Sequence, residues 1–214
     1  MEPTALVVGL LKKRLLRFMK QPLFYFCCME KYISLIRGIN VTGHRIIKMT
    51  ELKQLYEDLG FQEVQTYIQS GNVIFKLDGE SSCMELSSRI EKAIFEKFGY
   101  NVSVIIRTPE ELAKVLNINP YCNADGTFKD NIYITFLEDY PTVENLEKIR
   151  PLSFHPDRFT ILGKEVFIDC ASGYGTTKLS NTFFENKLNV RATTRNWKTA
   201  VKLLEMAGII TDSE

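Results

Sequence analysis

The chain has 214 residues, 45% of them apolar, and a formal charge of +1. That length allows one large domain or two small ones, with enough apolar sequence to build a core. A charge so close to neutral excludes a global electrostatic drive toward nucleic acid or acidic membranes.

The five cysteines are odd in number and none forms a C-x-x-C pair. This points to reduced thiols in a cytoplasmic protein rather than a disulfide framework. The two histidines, His44 and His155, are far apart, which counts against a zinc site and against histidine-based catalysis. No paired carboxylates or His/Cys/Asp cluster stand out, so no metal and no cofactor are expected.

Residues 1–28 carry Lys12, Lys13, Arg14, Arg17 and Lys20 against Glu2 alone. The apolar run Ala5–Leu11 is far shorter than the ~20 residues needed to cross a bilayer. Its basic residues follow the run, whereas a signal peptide places them before it. No integral membrane segment is therefore expected. Leu10, Leu11, Leu15, Phe18 and Met19 could make an interfacial amphipathic helix. The plainer reading is an extension outside the fold, with Met29 as the working start, because periodic sequence begins directly after it.

Tyr32–Ile36 reads as a buried strand. A polar knot follows, Arg37-Gly38-Ile39-Asn40-Val41-Thr42-Gly43. A helix then begins with Thr50 as its N-cap and carries Leu52, Leu55, Tyr56 and Leu59 on one face, with Gly60 at its end. Val64–Ile68 and Asn72–Leu77 are strands joined by a turn at Gln69-Ser70-Gly71-Asn72. Ser82 and Glu85 form a capping box for the next helix, which ends at Gly99. Val102–Ile106 completes a βαββαβ order, the ferredoxin-like motif. Thr108 and Pro109 start a further helix.

The second half follows the same plan. Asn131–Leu137 is a strand, Thr142 caps a helix, and Phe159–Leu162 with Glu165–Asp169 form a hairpin turning at Gly163-Lys164. Ser172–Lys178 leads into a helix with Leu179, Phe183, Phe184 and Leu188. A last helix spans Arg195–Ala207. The expected fold is α+β, with two ferredoxin-like α/β sandwich units, the second lacking a clear final strand. The expected organisation is an extension at 1–28, one domain at 29–118, a linker at 119–130 and a second domain with a C-terminal helix at 131–214.

Lys31 to Ala207 resembles the bacterial domain-of-unknown-function 1697 family. Ile36-Arg37-Gly38-Ile39-Asn40-Val41 with Ile47-Lys48-Met49 carries the likeness, together with Thr66–Phe75 and Thr193-Thr194-Arg195-Asn196-Trp197. Lys178-Leu179-Ser180-Asn181 is a weaker fourth block. Thr42-Gly43 and Thr177-Lys178 depart mildly from the family pattern. The resemblance implies a two-domain α+β fold and brings no established activity.

Four stretches bear on function. Arg37, Asn40 and Lys48 surround two glycines at a strand end, where N–H groups and a guanidinium suit a phosphate or carboxylate. The alternative is a structural turn in which Asn40 bonds its own backbone and Arg37 pairs with a carboxylate. Gln69, Ser70 and Asn72 offer a hydroxyl and two amides, yet without the G-x-S-x-G spacing of a nucleophile elbow. Gly173–Lys178 and Thr193–Trp197 are each read as opening a helix, which would turn free N–H groups toward an anion near Lys178, Arg195 and Asn196.

The expected site is a cleft between the two domains lined by Arg37, Asn40, Lys48, Lys178, Arg195 and Asn196, with Gln69, Ser70 and Asn72 at its edge. Cations gathered there would repel one another, so truncating Arg37 or Arg195 is expected to raise stability. The function expected is binding of an anionic, phosphate-bearing ligand, either a small molecule such as a nucleotide or a nucleic acid. A protein-interaction or assembly module, and an enzyme acting on a small phosphorylated or carboxylated substrate, stay open. The sequence does not fix the oligomeric state.

Overall fold

The structure, a computed structural model, describes residues 29–41, 43–79, 81–121 and 130–209. The expectations for residues 1–28, for Thr42 and for 122–129 of the linker lie outside the described residues.

The first half runs β1 (Met29–Ile36), α1 (Met49–Asp58), β2 (Gln62–Tyr67), β3 (Asn72–Asp78), α2 (Cys83–Phe98), β4 (Val104–Arg107) and α3 (Pro109–Asn117). The second runs β5 (Ile132–Leu137), α4 (Val143–Ile149), β6 (Arg158–Leu162), β7 (Glu165–Asp169), α5 (Asn181–Leu188), β8 (Ala192–Asn196) and α6 (Trp197–Met206). Each half forms a four-stranded antiparallel sheet, ordered β2-β3-β1-β4 and β6-β7-β5-β8.

Helix starts follow the capping chemistry with one exception. Ser82 with Glu85 and Thr108 with Glu111 form reciprocal capping boxes, and Thr142 accepts from the Asn145 N–H. At α1 the cap position falls on Lys48, without a side-chain cap, and Thr50 lies inside the helix. Gly99 stops α2 in the left-handed region.

The second half does have its final strand, contrary to the sequence expectation. β8 pairs with β5 over Ala192–Asn196. Its sequence, Ala-Thr-Thr-Arg-Asn, lacks a β-strand's usual apolar signature and runs straight into α6 with no loop. Arg195 therefore sits in a strand and not at a helix N-terminus. Likewise Gly173–Lys178 does not open a helix: α5 starts at Asn181, capped by Ser180. The glycines there form turns bonded through Gly173 O to the Thr176 and Thr177 N–H groups.

Both sheets are covered on both faces, which is why Ile33–Ile36 of β1 is buried throughout, with Ser34 satisfied by the Tyr56 hydroxyl at 2.7 Å. Tyr32 and Ile36 face α1 and α2, whereas Ile33 and Leu35 face the middle of the molecule. There they meet Ile134, Phe136 and Phe167 of the second sheet, with Leu112 and Leu116 of α3 and Trp197 and Leu203 of α6. Leu137, Val166, Ile168 and Phe184 form the second half's own core. The halves thus share an apolar cluster, each large side chain in it contributing about 1.5–3 kcal/mol by burial.

A candidate ligand-binding cleft between the halves

Strand register puts the two halves in correspondence. Ile33 pairs with Arg107 and Ile134 with Arg195; Leu35 pairs with Asn72 and Phe136 with Glu165. Arg107 and Arg195 therefore occupy matching places on the last strand of each half. Each crosses to the end of the other half's first strand. Arg107 Nη2 donates to Leu137 O at 2.6 Å, and Arg195 Nη2 donates to Ile36 O at 2.8 Å. Reciprocal contacts of this kind are the signature of an isologous interface.

The reciprocity breaks at one position. Arg107 meets the Glu165 carboxylate at 3.3 Å. Arg195 meets the Asn72 amide oxygen at 2.5 Å. Its remaining acceptors are neutral too: Ser70 O at 3.0 Å, Thr193 Oγ1 at 2.8 Å and Thr194 O at 2.9 Å. Arg195 is 7% exposed, and no described carboxylate forms an ion pair with it. Burial pulls its pKa down to about 10, so it keeps its proton at neutral pH. At Glu165 burial pushes the pKa up and Arg107 opposes that shift.

Arg195 forms part of the wall of a cleft of about 800 Å³ between the halves. The loop after β1 supplies Arg37, Gly38, His44 and Arg45. Asn40, with φ +55°, folds this loop: its amide donates to Ile47 O at 3.0 Å and Gln69 O at 2.9 Å and accepts from the Ile47 N–H. Loop and β2–β3 turn touch closely. A Cβ on Gly71, itself at φ +76°, would stand 2.8 Å from Ile39 Cδ1 and 2.9 Å from Ile36 Cβ. Asn72 closes that turn by donating to Tyr67 O and Ser70 Oγ.

Arg37 Nη2 binds Glu185 at 2.5 Å, while its Nε is buried without a partner. Arg45 is exposed and forms no ion pair with a described residue. No described carboxylate lines the cleft. The second half contributes Tyr174, Asn181, Thr193 and Thr194, and Tyr100 stands before β4 in the first half. Tyr174 is stacked on Tyr133 with ring centroids 4.3 Å apart. Its loop is held by Asp157, which accepts from both the N–H and the hydroxyl of Ser172 at 2.8 Å. Burial works to raise the Asp157 pKa, but the hydrogen bonds from Ser172 and Thr177 outweigh it and lower the value.

The matching cleft on the opposite side, about 490 Å³, is lined by Arg107, Glu138, Asp139, Lys164 and Arg191. Glu138 follows β5 where Arg37 follows β1. Arg191 binds both Glu138 and Glu91. That cleft holds both signs of charge and neutralises itself, whereas the first presents positive charge with only the partial compensation of Glu185.

Of the residues expected at the site, Arg37, Ser70 and Arg195 line the cleft, and Asn72 stands directly behind Arg195. Asn40 and the Gln69 carbonyl shape the loop from behind. Lys48 and Lys178 are exposed, and neither is among the lining residues. Asn196 caps α6 through the Lys198 N–H and donates to Asp130 O. His44, Tyr100, Tyr174, Asn181, Thr193 and Thr194 were not singled out as site residues. Arg45 is visible in the sequence only as a cation between Gly43 and the helix that follows.

Fold and cleft together define the class: a mixed α+β protein of two helix-covered, four-stranded antiparallel sheets that meet through exchanged arginines. The chain belongs to the family described as protein of unknown function (DUF1697), which matches residues 29–167. It is similar to the structure of a conserved bacterial protein from Streptococcus pneumoniae, at 24% identity, covering 84% of this chain and 99% of that one with a TM-score of 0.66. That likeness is one of fold. No curated protein matches the chain.

Proposed function

We propose that this protein is a binding module for an anionic, phosphate-bearing ligand, such as a nucleotide or nucleic acid, held in the larger cleft. The observation that carries the reading is Arg195, a buried guanidinium without a carboxylate, at a place where the matching Arg107 has one. A buried charge without a counter-ion costs stability, and an anion in the cleft returns part of that cost. Arg37, Arg45 and His44 add donors on the opposite wall. Ser70 Oγ is bonded to the Asn72 amide rather than to a histidine or carboxylate, which favours binding over nucleophilic catalysis.

We also read each half as a ferredoxin-like unit, the first ending near residue 118 and the second starting near 131. The βαββαβ order and the two matching sheet orders support this.

Inorganic phosphate tests the function. At about 100 times its Kd it should stabilise the protein by about 2.7 kcal/mol, read as a rise of several degrees in Tm. Arg45→Asn should leave the ligand-free Tm nearly unchanged, since Asn tolerates the left-handed φ of +49° found at Arg45. The same variant should reduce the phosphate shift. Identical shifts in wild type and variant, or no shift at all, would contradict the reading.

A further inference from the structure

The two halves contribute different chemistry to the cleft around Arg195. The first half brings charge: Arg37, with its unpartnered Nε, and Arg45. The second brings an aromatic wall, Tyr174, held in place by its stack on Tyr133 and by the Asp157–Ser172 bonds of its loop. Beside it Asn181 accepts from Thr194 through Oδ1, which leaves the amide N–H groups available to a ligand. A volume of about 800 Å³ lies within the range of small-molecule sites, roughly 300–1,000 Å³. A bare phosphate would use only the charged groups.

Resting on the anion-binding reading above, we propose that the ligand is a nucleotide whose base stacks on Tyr174 and whose phosphate lies against Arg37 and Arg45, drawn by the buried charge of Arg195, whose own N–H groups are all taken by protein acceptors. Aromatic rings bind bases through their π-faces with little dependence on sequence. Asn181 supplies a donor to the edge of the base. The same chemistry is offered by a free mononucleotide and by the terminal nucleotide of a single strand.

Calorimetric titration of the full chain with inorganic phosphate, ribose 5-phosphate, AMP and a short 5′-phosphorylated oligoadenylate tests this. AMP should bind about tenfold or more tightly than ribose 5-phosphate, the gain expected from stacking one base. Tyr174→Leu should abolish that preference while leaving phosphate affinity unchanged. Tyr174→Phe, which keeps the ring, should retain the preference and guards against a variant that simply fails to fold. An oligoadenylate that binds at least as tightly as AMP assigns the site to strand ends, and one that is excluded assigns it to free nucleotides; both keep the base-stacking chemistry. Equal affinity for AMP and ribose 5-phosphate, or a preference that survives Tyr174→Leu, overturns the nucleotide assignment while phosphate binding still supports the anion site. Failure of every compound to bind overturns both.

Discussion

Arg195 combines two roles that pull its energetics in opposite directions. Its charge is buried without a counter-ion, yet its guanidinium satisfies Ile36 O, Ser70 O, Thr194 O and the side chains of Asn72 and Thr193. Charge repulsion alone predicts that removing it stabilises the protein. The hydrogen bonds reverse that sign, because buried acceptors left without donors cost about 1–3 kcal/mol each. Arg195→Ala should therefore lower stability by about 3 kcal/mol or more, measured by urea unfolding. Arg37 was legible as a strand-end cation, and Asn40 as a residue that bonds its own loop. Arg37 does pair with a carboxylate, as the structural-turn alternative has it, but the identity of Glu185 was not legible, since 148 residues separate the partners. Nor was the exchange of glutamate for asparagine behind the two arginines, which shows only once the strand registers are compared.

At the scale of elements, apolar periodicity and capping chemistry revealed most of the helices and strands. Sequences that satisfy both of a sheet's neighbours with polar side chains escaped. β8 is the case in point: Thr194 bonds Thr135 and Asn181, and Arg195 bonds across the junction, so the strand is held by polar contacts that hydropathy does not register. The Ser172–Thr177 segment escaped for a related reason. Its glycines suggested a helix start, but its conformation is set by Asp157, fifteen residues earlier. That dependence has a pH signature. The folded pKa of Asp157 lies below the usual carboxylate value, near 3.9 when unperturbed. Its stabilising contribution is complete above that value and is lost as pH falls through the lower folded one. Below about pH 4, wild type should lose stability more steeply than Asp157→Asn, as read from Tm against pH. Parallel curves for the two proteins would show that this carboxylate does not hold the loop.

At the scale of the molecule, the halves are joined by an apolar cluster that neither completes alone. Residues 29–118 by themselves would leave Ile33, Leu35, Ile74 and Ile105 on one sheet face with only α3 to cover them. The expected behaviour is a single cooperative unfolding transition with calorimetric and van't Hoff enthalpies equal, and no stable fold for either half expressed alone. Two resolved transitions would mean that the halves are energetically independent. The repeated element order was readable from the sequence except for β8. The reciprocal arginines were not, because their meaning depends on how the halves face each other. No described helix is long and apolar enough to cross a membrane, and the proposed ligand cleft falls at the junction of the halves.

The central claim is that this cleft attracts an anion because Arg195 lacks the counter-ion that Arg107 has. Asn72→Asp supplies one of the same outline, placing a carboxylate oxygen where the amide oxygen now lies 2.5 Å from Arg195 Nε, at the loss of the two bonds that the amide donates to Tyr67 O and Ser70 Oγ. Calorimetric titration of phosphate into wild type and into this variant, with folding of each verified by thermal unfolding, compares the two states directly. The variant should bind phosphate at least about tenfold more weakly, a difference of about 1.4 kcal/mol. Equal phosphate affinity in the two folded proteins would contradict the claim.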